Sequence, residues 1–238
     1  MQRIADITAI ILAGGLGTRL RPVFSDRPKV LAEILGRPFL TYLLDQLSGA
    51  GFQHVILCTG YMGDKVQEVY GDTYQFLHLL YSQEDEPLDT GGALRLALPL
   101  LKSDPVLVLN GDSYIHADLH SYVNWFFQKA RSASLLLTNV SDTGRYGMVK
   151  LGKDESIIAF EEKGLANGAG WINAGVYLLR KSVLRLIPPG EPFSLEREFF
   201  SSLVGKGLFG YQCKGSFIDI GTPKSYAAAE KFFSDIII

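Results

Sequence analysis

The sequence predicts an α/β protein: a mostly parallel central sheet flanked by helices, with a smaller sheet-rich lobe from the second half of the chain. Three observations point there. Short apolar runs alternate with segments of helical period through the first half. The first apolar run ends in three glycines within four residues, Gly14, Gly15 and Gly17. Two later runs, Val106–Leu109 and Phe217–Ile218, lead into Asp112 and Asp219. All 238 residues are expected in one domain, with halves of about 1–132 and 133–238.

The first strand is expected at about Ile7–Leu12. Leu40, Leu43, Leu44 and Leu47 then recur at helical spacing until Gly49 and Gly51. His54–Thr59 is the second strand, Gly63–Val69 a short helix and Phe76–Tyr81 the third strand. A helix over Ala93–Leu101, opened by Gly91-Gly92, leads to a strand at Pro105–Leu109, and Asp118 caps a helix to Ala130. In the second half, Leu135–Val140 is a strand, Gly147–Leu151 and Ile157–Glu162 form a hairpin, and Ile172–Leu179 is another strand. Ser194 caps a helix to Val204, Leu208–Gln212 and Phe217–Ile220 are strands, and Thr222-Pro223 opens a last helix.

The glycine loop is suited to polyphosphate. Its glycines let backbone N–H groups turn inward and approach a ligand, while Arg19, Arg21 and Lys29 add positive charge. No Lys-Ser/Thr follows Gly17, which excludes the P-loop, and Leu20 stands where the dinucleotide fingerprint needs glycine. Asp112 and Asp219 follow strands whose carboxyl ends border a ligand crevice, and two carboxylates with phosphate oxygens suit Mg²⁺. Glu84, in an acidic Pro/Gly loop, can accept from a base edge with two donors, as guanine presents. Lys163 could hold a second phosphate, with Glu162 and Asn173 on sugar hydroxyls.

Other features bound the reading. A net charge of −2 gives no reason to expect nucleic-acid or anionic-membrane binding. Cys58 and Cys213 read as buried thiols of a reducing compartment, and with no leader or spanning run the protein is expected in the cytoplasm. His116 and His120 have metal-pair spacing but no third ligand, so they read as surface residues. Trp125, Phe126 and Phe127 are either core or an apolar contact in a homo-oligomer.

Assembled in order, these motifs resemble the sugar-1-phosphate nucleotidylyltransferases. The matching stretches are Gly14–Pro22, Pro28-Lys29, Glu84 with Pro87-Leu88 and Gly91-Gly92, Asn110-Gly111-Asp112 and Arg145-Tyr146-Gly147. Glu161-Glu162-Lys163, Asn173-Ala174-Gly175 and Asp219–Pro223 continue the match. Arg37–Leu40, Glu84–Leu88, Phe193–Glu196 and Phe217–Gly221 look most like the short guanylyltransferases of D-glycero-α-D-manno-heptose 1-phosphate.

The resemblance implies a Rossmann-like fold and Mg²⁺-dependent transfer of a nucleotidyl group, from GTP by preference, to a sugar 1-phosphate, in polysaccharide synthesis. It implies catalytic roles for Arg19, Lys29 and Asp112, and metal binding by Asp112 and Asp219. Nucleotide contacts fall at Leu12, Ala13, Gly14, Gly15, Gly17, Thr18, Arg19, Glu84, Pro87, Thr90 and Gly91. Sugar-phosphate contacts fall at Asn110, Gly147, Glu162, Lys163, Trp171 and Asn173. Asp89 departs from the usual glycine and resembles the short uridylyltransferases of N-acetylmuramate 1-phosphate. A uridylyl- or thymidylyltransferase and a nucleotide-sugar-binding regulatory subunit are the alternatives.

Overall fold

A computed structural model describes residues 3–15, 17–20, 23–24, 26–161 and 168–236. Strand β1 (Thr8–Leu12) leads through the glycine loop to a two-residue ribbon, β2 (Glu33–Ile34) and β3 (Arg37–Pro38), and to helix α1 (Phe39–Gly49). Next come β4 (His54–Thr59), α2 (Gly63–Tyr70), β5 (Thr73–Tyr74), β6 (Leu77–Gln83), α3 (Asp89–Ala97) and β7 (Val106–Asn110). β8 (Ser113–Ile115), α4 (Leu119–Gln128), β9 (Ala133–Val140), β10 (Met148–Leu151), β11 (Ile157–Glu161) and β12 (Gly170–Leu179) follow. The chain continues through α5 (Lys181–Leu184), a π-helical turn at Leu195–Phe199, α6 (Phe200–Leu203), β13 (Leu208–Cys213), β14 (Phe217–Asp219) and α7 (Pro223–Ile236).

Eight strands form one sheet in the order β13-β9-β12-β7-β1-β4-β6-β5. β1 pairs in parallel with both β4 and β7, and β6 extends the parallel block beyond β4. β12 runs antiparallel to β7 and β9, so the sheet is mixed. The strands of the second half therefore extend the sheet of the first. Among the described residues, the β10–β11 hairpin and the ribbon that β14 forms with β8 of the first half stand apart from that sheet.

Both faces of the sheet are buried, which is why its central strands read as unbroken apolar runs. Ala9 and Ile11 of β1 face one core, with Leu107 and Leu109 of β7, while Ile10, Val106 and Val108 face the other. α1, α4 and α7 cover the first core, and α3, α5 and α6 the second. Phe233 of α7 stacks on Tyr42 of α1 at 3.9 Å between ring centroids, fastening the last helix to the first. Trp125 and Phe126 are core residues and Phe127 packs half-buried against the same core, so this aromatic run serves mainly as core.

Some boundaries differ from expectation. α3 begins at Asp89, before the Gly91-Gly92 pair, and these glycines lie inside the helix. A side chain on Gly91 would come within 2.7 Å of the Phe193 carbonyl oxygen, so close packing explains the glycine. The segment after Ser194 begins with a wide π turn, although Ser194 does cap it by accepting from the Arg197 N–H at 3.3 Å. Asp118 caps α4 as expected, accepting from the Ser121 N–H at 3.1 Å.

Candidate active site

The strand order places the site. After β1 the chain builds β4 and β6 on one side, then returns to β7 on the other. Loops leaving β1 and β7 must diverge there, which opens a crevice at their carboxyl ends. Leu12 lies beside Asn110 in the register of β1 and β7, so the glycine loop and the Asn110–Asp112 turn are neighbours. The Gly111 N–H donates to the Leu12 carbonyl at 2.9 Å and ties the two turns together.

A cavity of about 600 Å³ fills this crevice. Among the expected residues, Leu12, Ala13, Gly14, Gly15, Gly17, Thr18, Arg19, Lys29, Glu84, Pro87, Thr90, Asn110 and Asp112 line it. Arg21, Glu162 and Lys163 lie outside the described residues. Gly17 has φ +58°, a conformation that glycine adopts without strain. Gly15 faces open space, with nothing within 4 Å of where a side chain would begin.

Charges from opposite ends of the chain meet here. Lys29 Nζ lies 2.6 Å from Asp112 Oδ2. β14 pairs with β8 so that Asp219 sits opposite Ser113, and the Ile220 N–H donates to the Asp112 carbonyl at 2.8 Å. Gly221 occupies the gap between the charged groups. A Cβ on it would lie 3.0 Å from Asp219 Oδ1, 3.6 Å from Lys29 Nζ and 3.7 Å from the Arg19 guanidinium.

Asp219 is held from a third direction. Arg145 donates to Oδ2 at 3.1 Å and the Tyr146 hydroxyl to the same oxygen at 2.6 Å. Burial, and then this bond to Asp219, raises the Tyr146 pKa well above its usual value. Gly147, φ +76°, turns the chain from this pair into β10; it lies outside the cavity.

Glu84 sits at the other end. It follows β6, and its Oε2 accepts from the Leu88 N–H at 3.1 Å. Its Oε1 lies beside Gly14 and Gly60, where added side chains would come within 2.8 Å and 2.5 Å. Burial raises the Glu84 pKa most, the Leu88 N–H opposes that, and nearby Asp89 adds to it. Asp89 has φ +57°, the conformation that makes glycine the easier choice. Its carboxylate is occupied locally, accepting from Arg197 at 2.6 Å and from the Thr90 N–H at 2.7 Å.

Besides Gly147, and Asp219 at its edge, three more expected contacts do not line the cavity. The Gly91 N–H is committed to the Phe193 carbonyl at 2.7 Å. Trp171 packs against the second core. Asn173 is engaged at both ends of its amide, donating to the Tyr177 hydroxyl at 3.0 Å and accepting from the Gly175 N–H at 2.9 Å. The cavity also contains Glu196, which the sequence shows at a helix start within the resembling stretch Phe193–Glu196 but does not single out as a site residue. Its inward placement depends on the π turn and on long-range contacts, which carry no local signal.

The family model for nucleotidyl transferases matches residues 8–235. This chain belongs to that family. It is 38% identical over 224 residues to the D-glycero-α-D-manno-heptose 1-phosphate guanylyltransferase of Aneurinibacillus thermoaerophilus, covering 94% of this chain and 96% of that one. It is 35% identical to the mannose-1-phosphate guanylyltransferase of Mycobacterium tuberculosis, where the match covers 93% of this chain and 63% of the longer relative. The crystal structure of HddC from Yersinia pseudotuberculosis complexed with GMP-PN superposes with a TM-score of 0.83 at 33% identity, covering 95% of this chain and 99% of that one.

The donor set of this nucleotidyl transferase fits a divalent ion. Two hard carboxylates, Asp112 in the turn before β8 and Asp219 on the β14 strand paired with β8, beside a cationic loop, match an ion that takes one or two carboxylates and completes its shell with phosphate and water. Among the described residues no cluster of three or more His, Cys, Asp or Glu forms a closed metal cage, and His116 and His120 are exposed. Cys58 is buried, its thiol pushed up to about 12, whereas Cys213 is only half-buried and accepts from the Gly215 N–H. No helix among the described residues is long and apolar enough to cross a membrane.

Proposed function

We propose that this enzyme transfers a guanylyl group from GTP to a sugar 1-phosphate, D-glycero-α-D-manno-heptose 1-phosphate by preference, releasing pyrophosphate for nucleotide-sugar synthesis in the cytoplasm. The observation that carries the reading is the meeting of Arg19, Lys29 and Asp219 around Gly221, with Asp112 paired to Lys29. A site for binding one nucleotide needs the glycine loop and its cations. Two carboxylates among those cations suit the joining of two phosphorylated substrates.

The attacking sugar phosphate oxygen is already anionic, so no general base is needed. Catalysis is then alignment and charge neutralisation. Arg19 takes the β- and γ-phosphates and Lys29 the α-phosphate, toward which the second phosphate approaches in line. The resemblance gives the second phosphate to Lys163 and a sugar hydroxyl to Glu162. Asp112 and Asp219 would hold Mg²⁺, which supplies charge neutralisation on the phosphates when bound. Glu84 accepts the two donors of guanine, which adenine lacks. Asp89, occupied by Arg197, supports the loop and leaves the base to Glu84.

The test is pyrophosphate release from GTP, UTP, dTTP and ATP against heptose, mannose, glucose and N-acetylmuramate 1-phosphates. GTP with heptose 1-phosphate is expected to lead. UTP or dTTP leading would transfer the reading to a uridylyl- or thymidylyltransferase. Nucleotide-sugar binding without turnover would make the protein a regulatory subunit.

A further inference from the structure

The π turn after Ser194 carries Glu196 into the cavity, where its carboxylate gathers three donors. Thr90 Oγ1 donates to Oε2 at 2.9 Å, while the Tyr177 hydroxyl and Asn110 Nδ2 reach Oε1 at 3.2 and 3.3 Å. Tyr177 is fully buried, and its hydroxyl already accepts from the amides of Asn110 and Asn173. Its single proton therefore points to Glu196. Burial first, and then the Glu196 charge, keep that proton in place by raising the Tyr177 pKa well above the usual value.

This fixes the Asn110 amide as well. Turning it over would set its oxygen against the Glu196 carboxylate, so Nδ2 must face Glu196 and Tyr177. Asn110 Oδ1 is then left buried with no donor among the described residues. A buried acceptor without a donor is costly, and one lining a substrate cavity asks for a donor from the substrate. Glu196 adds to the demand: a carboxylate has about four acceptor positions, of which three are used here.

An end of the cavity lined by acceptors repels phosphate and suits hydroxyl groups. Strand order says whose hydroxyls. Asn110 ends β7 and Glu84 follows β6, with β1 and β4 between them, a separation of three strand spacings or about 14 Å. With the base at Glu84 and the triphosphate on the loop after β1, the β7 end is left for the second substrate.

We propose that Glu196 is a specificity-determining residue that reads hydroxyls of the sugar 1-phosphate, with Asn110 Oδ1 as the second acceptor of the same subsite. The inference rests on the proposed two-substrate reaction. The experiment is steady-state kinetics of wild type and E196Q, varying nucleotide and sugar 1-phosphate separately. Sugar 1-phosphates lacking one hydroxyl at a time are run beside the parent, and thermal midpoints check folding. Glutamine keeps the size, can accept from Asn110 and Tyr177, and can donate to Thr90.

In E196Q the KM for the sugar 1-phosphate should rise about 10-fold or more, and that for GTP less than about threefold. One deoxy analogue should be poorer by a similar factor with wild type and insensitive to the substitution. Parallel rises in both KM values, a fall in kcat alone or an unchanged E196Q would overturn the role of Glu196. If E196Q does not fold, wild type reading every deoxy analogue like the parent would overturn it. Absence of turnover by wild type with every pair would instead remove the proposed function.

Discussion

Gly111 and Gly15 separate two reasons for a glycine at this site. A methyl on Gly111 would collide with the Leu12 carbonyl oxygen and come within 3.1 Å of both the carbonyl carbon and Val30 Cγ1. Most of these atoms are backbone at the end of β1, so no side-chain rotation relieves the overlap. The Asn110–Asp112 turn must move away by roughly half an ångström or more, breaking the 2.9 Å bond from Gly111 to Leu12. Overpacking of this kind costs about 1–3 kcal/mol. It also moves Asp112, which lies 2.6 Å from Lys29, and misplacement of about 1 Å in a positioned group costs on the order of 100-fold.

G111A should therefore lose both denaturant stability and kcat for pyrophosphate release. G15A has open space around its new methyl, so its unfolding midpoint should match wild type while the KM for nucleotide rises through obstruction of the approaching phosphates. A G111A protein within 0.5 kcal/mol of wild type (~ the noise of a surface substitution) and within about threefold in kcat would refute the packing argument. A G15A protein that unfolds early would refute its counterpart.

Three further outcomes are expected. R19A or D112N should lower turnover at least ~100-fold, because each removes a charge from the transition-state clamp; pyrophosphate release measures it. Arg145 competes with any cation for Asp219, so R145Q should bind Mn²⁺ roughly 2–5-fold more tightly without substrates, read by electron paramagnetic resonance titration. Glu84 has a raised pKa in the folded chain, so its protonated form contributes stability at acid pH that is lost as pH rises from the ordinary carboxylate range through the raised value. E84Q should thus melt higher than wild type at pH 7 and alike at acid pH, while its preference for GTP collapses.

The strand periodicity, the glycine loop and the ends of the helices are local patterns, and the chain states them plainly. Asp118 and Ser194 announce their caps because a short polar side chain satisfies N–H groups two or three residues ahead. Glu84, Asn110 and Asp112 were legible as cavity residues for a related reason, since they stand at or just past the ends of parallel strands that meet at one rim, and Arg19 and Lys29 because they flank the glycine loop there. The two-residue ribbon, β5 and β8 were not, since elements this short have no periodicity to read.

Pairing across the whole chain decided the rest. The second half extends the first sheet through β12 beside β7, and no residue pattern distinguishes that from a separate lobe. Asn173, an apparent sugar ligand, spends its amide on Tyr177 and Gly175, whereas Glu196, an apparent helix-start residue, enters the cavity. Side-chain direction depends on partners far along the chain, 106 positions apart for Thr90 and Glu196. The sequence alone determined which chemical groups this protein carries and that they gather at the ends of its strands. Only the tertiary structure decided which faced the cavity and which were consumed holding it open, because a hydrogen-bonding group can be assigned only when its competing partners are in place.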